Sequence, residues 1–313
     1  MKRLAFMFPG QGSQTVGMGK ELYDQYEEVR QLYNTANEVL HKDLTDLMFN
    51  GPQETLTETE NAQPALLLNS MAVYSVLLKE NIKPSMTVGH SLGEYSALVA
   101  SQVLSLEEAL PLVATRGRLM EAALPKGQGT MAAVLGMSEA EIQKGIEQIS
   151  EGEIVDIANL NCPGQIVISG SRRGIEEVSE ILKEAGARRV IPLNVSGPFH
   201  SRFMQQANEE FSASLDQVTL QNATIPIYAN VSAMPVKDKE EMKQLLLQQL
   251  YSPVRFEESI NNMINDGVDA FVEVGVGNVL SGLVRKINRK IKTFSVQDTA
   301  SLHKFLSWYK EEQ

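Results

Sequence analysis

One short segment, GHSLGEYSALVA at residues 89–100, constrains the fold of this chain more than any other. The three residues before it, MTV, suit a strand, and residues 91–99 have the composition of a buried helix. A sharp turn from a strand into a helix leaves little room for side chains, and Gly89 and Gly93 flank the serine. The segment therefore predicts an α/β sheet in which Ser91 lies at the end of a strand.

Other segments predict strand–helix units around this turn. Residues 4–8 predict a strand that ends in the loop PGQGSQ, and residues 20–40 predict a helix. The stretch 62–80 is apolar on nearly all sides, which indicates a buried helix with Pro64 in its first turn. Strand–helix units resume in ATIPIYANVS and in the segment 269–287. These units predict an α/β body with a parallel sheet.

The segment 127–196 has a different order of predicted strands and helices. Its predicted elements follow the order β-α-β-β-α-β, which is typical of ferredoxin-like folds. They are strands over 130–135, 154–160, 165–169 and 189–195, a helix that Ser138 opens with Glu141 at the capping-box position, and a helix over 175–185. We therefore expect a small ferredoxin-like subdomain at 127–196, inserted between the two parts, 1–126 and 197–313, of a large subdomain.

Composition excludes several classes of protein. The 313 residues carry a net charge of -11, so the chain has no global positive field that could neutralise nucleic-acid phosphates. Cys162 is the single cysteine, which excludes an intrachain disulfide and fits a reducing compartment. No apolar run approaches the roughly 18 residues of a membrane span, and the first residues lack the apolar core of a secretion signal. We expect a cytoplasmic protein without nucleic-acid or membrane partners.

Ser91 is the first candidate for chemistry. A serine attacks well only when a base takes its proton, and histidine is the usual base. Of the four histidines, His200 lies in VSGPFHS after a predicted strand, where open α/β sheets assemble their sites. On these grounds alone Ser91 is either a nucleophile or a helix cap, and His200 is either its base or an unrelated loop residue.

Arg116 is the second candidate. It lies on an otherwise apolar stripe of the helix SLEEALPLVATRGRLMEAAL, and a buried arginine requires an anion. That anion is either a carboxylate of the chain or the carboxylate of a substrate.

Two other features of the sequence give weaker predictions of function. The loop GQGSQ either binds an anion or turns the chain, and Cys162 is expected to be a small buried residue. No spacing suggests a metal site.

Seven motifs occur in order and together resemble a known family. They are FPGQGSQ, AQPALL, GHSLGEYSALVA, TRGRLM, ANLNCPGQ, GPFHS and QLYSPVRF. In this order they closely resemble the malonyl-CoA:acyl carrier protein transacylases of type II fatty acid synthesis, from about Phe8 to Lys286. The resemblance implies an α/β-hydrolase-like large subdomain that carries the inserted ferredoxin-like one. It also implies ping-pong transfer of malonyl from malonyl-CoA to the phosphopantetheine thiol of acyl carrier protein, with no metal or redox cofactor.

The resemblance also implies roles for individual residues. Ser91 would carry the malonyl group as an ester, and His200, oriented by the backbone carbonyl of Gln249, would act as base and then acid. The amides of Gln11 and Leu92 would form the oxyanion hole. The acyl group would be bound by Arg116, which grips its carboxylate, and by the pocket residues Gln63, Met120, Asn161 and Phe199. The aromatic ring of Phe199 would disfavour an α-methyl branch, so malonyl is the expected unit.

One loop departs from the family pattern. The family usually has G-P-G-K where this chain has GVGNVLSGL, with Val276 and Asn278 at the changed positions. The run RKINRK follows, and Arg285 and Lys286 are candidates for docking the acidic carrier protein, although such a run is more often a solvated helix face. Three other functions remain open: a serine thioesterase or esterase, an acyltransferase of a polyketide synthase, and an inactive scaffold that binds carrier proteins.

Overall fold

Two β-sheets organise the chain, and a computed structural model describes residues 2–311. The strands are β1 Leu4–Phe8, β2 Met86–Gly89, β3 Gly129–Leu135, β4 Val155–Cys162, β5 Gln165–Ser171, β6 Arg189–Pro192, β7 Ile227–Tyr228, β8 Pro235–Val236, β9 Ala270–Val274 and β10 Lys292–Val296. The helices are α1 Lys20–Gln25, α2 Glu27–Leu40, α3 Leu44–Asn50, α4 Gln53–Thr57, α5 Thr59–Lys79, α6 Gly93–Ala100, α7 Leu106–Ala122, α8 Glu139–Ile146, α9 Arg172–Glu184, α10 Asn208–Leu215, α11 Lys239–Gln249, α12 Phe256–Asn265, α13 Val279–Ile287 and α14 Thr299–Glu311. A 3₁₀ helix spans Arg202–Ala207.

The larger sheet has the strand order β10-β9-β1-β2-β7-β8 and is parallel except for the pairing of β8 with β7. Its central strand β1, LAFMF, is buried at every position, which is the composition expected of a parallel strand covered on both faces. Phe8 at the end of β1 is in register with Gly89 at the end of β2. The loops that follow these two strands therefore meet at one edge of the sheet.

The smaller sheet is antiparallel and has the strand order β4-β5-β3-β6. With α8 and α9 it has the connectivity of a ferredoxin-like fold, and Ser138 and Glu141 form the expected capping box. Its first and last strands are neighbours, since Ala132 of β3 pairs with Pro192 of β6. The predicted fold class is confirmed, while the subdomain boundaries at 126/127 and 196/197 stay a prediction.

Several predicted element bounds were wrong, each for a local reason. The predicted helix over 20–40 is broken at Tyr26, whose backbone is extended. The buried helix begins at Thr59, so Pro64 lies beyond its first turn. The helix tolerates this proline because the carbonyl left without a donor belongs to Glu60, which is exposed.

Two further bounds near the glycine turn were also wrong. The helix expected from Ser91 begins at Gly93, because the turn holds Ser91 at a positive φ of 51°. The strand expected to reach Val195 ends at Pro192, so a longer loop leads to His200.

Both faces of the larger sheet are buried. Phe6 and Phe8 point into one apolar cluster, which includes Leu66 of α5, and Ala5 and Met7 point into another on the opposite face. The smaller sheet has its own cluster under α8 and α9. Among residues 2–311, no helix has the length and apolar character needed to cross a bilayer.

Candidate active site

A strained turn at the end of β2 presents Ser91. A Cβ added at Gly89 would lie 1.8 Å from the carbonyl carbon of Gly93, and one added at Gly93 would lie 2.0 Å from the carbonyl oxygen of Phe8. Both positions therefore require glycine. The turn holds Ser91 at φ 51°, a conformation that non-glycine residues rarely adopt and that is typical of functional sites.

His200 lies opposite Ser91 across this edge of the sheet. Its Nε2 is 2.8 Å from the serine Oγ, and its Nδ1 is 2.9 Å from the backbone carbonyl oxygen of Gln249. Because a carbonyl only accepts, it fixes the proton on Nδ1 and leaves Nε2 as an acceptor for the serine proton. His200 is only 4% exposed and also has a positive φ, of 56°. The two side chains form a dyad in which a carbonyl replaces the usual carboxylate.

The electrostatic surroundings keep His200 neutral. Burial lowers its pKa to about 3, and the nearby positive charge of Arg116 contributes to the lowering, while the carbonyl of Gln249 acts in the opposite direction. A neutral imidazole is the form that can take a proton from serine. The dyad is therefore ready to act as nucleophile and base at neutral pH.

Arg116 of α7 is buried beside the dyad, with 1% of its surface exposed. Its Nη1 donates to Oε1 of Gln63 at 2.9 Å, and its Nη2 donates to Oε1 of Gln249 at 2.9 Å and to Oγ of Ser91 at 3.2 Å. Its guanidinium also lies 5.3 Å from the ring centroid of Tyr95. Within residues 2–311 no carboxylate forms an ion pair with it, so the guanidinium has only uncharged hydrogen-bond partners.

Two residues that the sequence reasoning missed support this arrangement. Asn230 accepts from the backbone amide of Ser91 at 2.9 Å and donates to the carbonyl of Gly89 at 2.6 Å, which fixes both sides of the turn. Glu94 accepts from Nε2 of Gln249 at 2.8 Å. The signal for Asn230 was its place two residues after strand β7, at the same sheet edge as Ser91. The signal for Glu94 was a carboxylate within a predicted buried helix, the same kind of signal that singled out Arg116.

Two backbone amides beside Ser91 are free to donate. Those of Gln11, in the loop after β1, and Leu92, at the start of α6, donate to no acceptor within residues 2–311. The Gln11 side chain is held by a hydrogen bond of 3.2 Å to Oγ1 of Thr59. Both residues line the cavity in front of Ser91, where their amides can stabilise a negative oxygen.

A cavity of about 570 Å³ opens in front of the dyad, between the two sheets. The expected pocket residues Met120, Asn161 and Phe199 line it, together with Met131 and Val167 of the smaller sheet. An additional hydrogen bond crosses between the sheets, because Nε2 of His90 lies 2.8 Å from Oδ1 of Asn161.

Gln63 lies behind the cavity wall instead of on it. It is buried, and besides accepting from Arg116 it places its Nε2 3.7 Å from Sδ of Met120. Its contacts orient two residues that do line the cavity, so its effect on a substrate is indirect.

The basic run lies at the end of α13. Arg285 and Lys286 are exposed, and Lys286 donates from Nζ to Oε1 of Gln165 at 3.0 Å, a residue that lines the cavity. The unusual loop before α13 is well anchored, since the amide of Val276 donates to Oδ1 of Asn69 at 2.9 Å. Cation side chains are therefore present near the cavity, and the departure at Val276 fits a buried apolar site.

The other candidates carry no chemistry. Cys162 is fully buried, and burial raises its thiol pKa, so it is a poor nucleophile. Among the described residues, no group of three or more histidine, cysteine, aspartate or glutamate side chains could hold a metal ion.

A nucleophile elbow, a serine–histidine dyad and two free amides define an acyl-transfer site, and comparison with known proteins agrees. Residues 5–304 match the acyl transferase domain family, and the chain belongs to that family. It is 50% identical, over 100% of its length and 99% of the relative's, to the malonyl CoA-acyl carrier protein transacylase of Bacillus subtilis (strain 168).

Solved structures extend the similarity to the fold. A malonyl CoA-acyl carrier protein transacylase from Clostridium perfringens is 40% identical with a TM-score of 0.96, covering 99% of this chain and 98% of that chain. A malonyl-transacylase in complex with the acyl-carrier protein of a type II polyketide synthase is 38% identical with a TM-score of 0.94, covering 96% and 98%. The resemblance seen in the motifs is confirmed.

Proposed function

We propose that this protein transfers the malonyl group from malonyl-CoA to the phosphopantetheine thiol of acyl carrier protein. The observation that carries the proposal is the position of Arg116, a buried guanidinium that forms no ion pair with any of residues 2–311 and lies 3.2 Å from the Oγ of Ser91. An acyl group esterified to Ser91 would place a terminal carboxylate next to this cation. A planar fork of donors suits a carboxylate, and an uncharged acyl group would form no ion pair with this guanidinium.

The first half-reaction forms an acyl-enzyme. Ser91 Oγ gives its proton to His200 Nε2 and attacks the thioester carbonyl carbon of malonyl-CoA. The carbonyl oxygen becomes negative and accepts from the amides of Gln11 and Leu92. The carbon–sulfur bond then breaks, and His200 returns the proton to the leaving sulfur of coenzyme A.

The second half-reaction reverses these steps with another thiol. The carrier thiol gives its proton to His200 and attacks the ester carbonyl, and the Ser91 oxygen leaves and recovers the proton. The acyl group keeps its place between the two half-reactions because Arg116 fixes its carboxylate, which favours the positioned thiol over water. All steps are proton and acyl transfers, so the proposed chemistry requires no metal or redox cofactor.

Phe199 is proposed to select malonyl over methylmalonyl. Its ring is 5% exposed and lines the cavity next to His200, where an α-methyl branch would meet it. Rejection of one methyl group by contact is worth about 1–3 kcal/mol, so some methylmalonyl is expected to react.

The carrier protein is proposed to dock beside α13, where Arg285 and Lys286 present exposed positive charge near the cavity to an acidic partner. The pathway is proposed to be fatty acid synthesis in the cytoplasm, in line with the named relatives. A polyketide carrier is the second candidate, favoured by the similar transacylase solved in complex with such a carrier. Both pathways would use the same site.

A thioesterase is the competing function for the same dyad. Hydrolysis would need an activated water in place of the carrier thiol, and Arg116 would bind the product carboxylate as well as the substrate. The absence of a carboxylate behind His200 within residues 2–311 also distinguishes the site from a serine hydrolase triad.

Intact-mass measurement after brief incubation with malonyl-CoA tests the proposal, with Ser91→Ala as the matched variant. We expect a malonyl adduct on the wild type only, and its discharge when a phosphopantetheine-bearing carrier protein is added. Free malonate in place of an adduct would favour the thioesterase. An adduct on Ser91→Ala would refute Ser91 as the nucleophile.

A further inference from the structure

A buried cation and a buried anion of this site are joined through one side-chain amide. Arg116 and Glu94 are each 1% exposed. Arg116 donates from Nη2 to Oε1 of Gln249 at 2.9 Å, and the same amide donates from Nε2 to Oε2 of Glu94 at 2.8 Å. The amide thus presents its negative end to the arginine and its positive end to the glutamate. The charges of Arg116 and Glu94 therefore compensate each other although the two side chains do not form a hydrogen bond with one another.

The surroundings of Glu94 disfavour its charge. Oε2 accepts a second hydrogen bond, from the amide of Asn230 at 3.1 Å, but Oε1 is buried and has no hydrogen-bond partner among residues 2–311. Burial raises the pKa of this carboxyl to about 7, although Arg116 and the two hydrogen bonds lower it. Glu94 therefore lies close to the balance between its charged and neutral forms at neutral pH.

Of the charged groups on the elements packed against α6, all except Arg116 are exposed or half-buried; they are Glu60 and Lys79 on α5 and Glu107, Glu108, Arg118 and Glu121 on α7. Strands β1 and β2 contain none. The remaining ionisable groups are Arg116 on α7, Tyr95 on α6 itself, Tyr74 on α5, which donates to the carbonyl of Ala100 at the far end of α6, and Tyr228 on β7, which donates to Asp266. Because the tyrosines are neutral near pH 7, Arg116 is the charge that balances Glu94.

An acyl carboxylate on Arg116 would disturb this balance. The site would then hold one positive and two negative charges in a region closed to solvent, where a surplus charge is strongly unfavourable. Two carboxylates near one buried cation raise each other's pKa, so the one with the higher pKa takes up a proton first. Glu94 is the one with a raised pKa before the substrate arrives.

We propose that Glu94 is the counter-charge of Arg116 in the substrate-free site, and that its carboxylate takes up one proton from solvent when the acyl carboxylate pairs with Arg116. The inference rests on the proposed malonyl transfer. Glu94 touches no reacting atom and acts through Gln249, so it is a positioning residue. It links acceptance of a charged acyl group to pH.

The direction of the pH dependence follows from the linkage between binding of the acyl carboxylate and protonation of Glu94. Binding of the acyl carboxylate raises the pKa of Glu94 further, so the charged acyl group is accepted fully below the pKa of the free site and less well above it. With that pKa near 7, the ratio of kcat/KM for malonyl-CoA to that for acetyl-CoA falls about tenfold from pH 6 to pH 8. The ratio cancels the ionisation of the coenzyme A phosphates, which both donors share.

The variant Glu94→Gln tests the role of the negative charge on Glu94 separately from its shape and hydrogen bonds. Glutamine has the same shape and keeps one oxygen to accept from Asn230 and Gln249, but it cannot take up a proton in this range. We expect the malonyl-to-acetyl ratio of this variant to be constant with pH. Glu273→Gln is the matched control, because Glu273 is also a fully buried glutamate but accepts from the amides of Leu280 and Ser281 and not from this network. It should retain the pH dependence of the wild type.

A wild-type ratio that is constant with pH, or a Glu94→Gln variant that keeps the wild-type dependence, would overturn the inference. A second measurement covers the case in which Glu94→Gln fails to fold. Infrared difference spectra of the wild type should show a protonated carboxyl band upon malonylation that shifts in D2O but does not shift with carbon-13 in both carbonyl carbons of the malonyl group, which moves the band of the serine ester away. No such band would overturn the inference. Failure of the wild type to form any malonyl adduct would instead refute the proposed function.

Discussion

Arg116 reaches the nucleophile itself, since its Nη2 donates to the Oγ of Ser91 at 3.2 Å. The same guanidinium therefore lies within reach of the far end of any short acyl group bound to that oxygen. Arg116→Ala removes the charge, and we expect kcat/KM for malonyl-CoA to fall about 10- to 100-fold more than that for acetyl-CoA, the range for hydrogen bonds to a charged group. Acyl-enzyme formation with each donor is the measurement.

Arg118 provides the control for this experiment, because it lies on the same helix and is exposed. Arg118→Ala should leave the preference between the two donors unchanged. Equal losses of malonyl and acetyl transfer in Arg116→Ala would contradict the role given to its charge.

The lowered pKa of His200 has its own consequence. A histidine with a pKa of about 3 stays neutral, and therefore able to accept a proton, throughout the range in which an ordinary histidine becomes charged. We expect the rate of acylation at saturating acetyl-CoA, where ionisation of the coenzyme A phosphates no longer limits binding, to be independent of pH between about pH 5 and pH 8, because the acetyl group carries no charge. Stopped-flow or quenched measurement of acyl-enzyme formation checks this. A decrease of the rate below about pH 6.5 would show that His200 has an ordinary pKa.

The glycine turn predicts a steric effect. Alanine at Gly93 would place its Cβ 2.0 Å from the carbonyl oxygen of Phe8. We expect Gly93→Ala to lower the free energy of unfolding by at least about 1–3 kcal/mol and to abolish the acyl-enzyme. Gly282 on α13 is the control, because a Cβ there meets no atom within 4 Å. Gly282→Ala should be neutral or stabilising by about 0.5–1 kcal/mol in urea unfolding.

Docking of the carrier predicts a selective change in KM. Reversing the charge of Arg285 and Lys286 together should raise the KM for the carrier protein about fivefold and leave that for malonyl-CoA alone. Lys83→Glu is the control, because Lys83 is exposed but precedes β2 and so lies at the opposite edge of the sheet from Ser91. Equal effects on both substrates would argue against docking at α13.

Phe199 predicts a change of substrate preference. Phe199→Ala would open the space that an α-methyl branch needs, and the ratio of methylmalonyl to malonyl transfer should rise about 10-fold or more. Competition between the two donors, read by intact mass, is the measurement. Phe203 is a partly buried aromatic residue nearby that does not line the cavity, so Phe203→Ala should leave the ratio unchanged.

Much of this architecture could be predicted from local patterns. The ferredoxin-like order of strands and helices could be predicted because boundary signals mark its elements in the sequence, such as the capping box at Ser138. Ser91 and His200 were found because both follow strands in loops of special geometry. Such signals depend only on neighbours in the sequence.

What could not be predicted depends on contacts between distant segments. Glu94 and Gln249 are separated by 155 positions, and no spacing rule connects them. The start of α5 at Thr59 and the extended backbone at Tyr26 also had no signal in the sequence. Sequence motifs located the reacting atoms, but the buried network that supports them is a property of the folded chain.

The side-by-side position of β3 and β6 makes the inserted subdomain modular. The chain crosses into the smaller sheet and back at two adjacent points, where Ala132 pairs with Pro192. A segment whose two ends lie together can be exchanged as a cassette without reconnecting the rest of the fold. Since Met131, Asn161 and Val167 belong to this cassette while Ser91 and His200 do not, evolution can reshape the acyl pocket by recombination and keep the reacting groups in place.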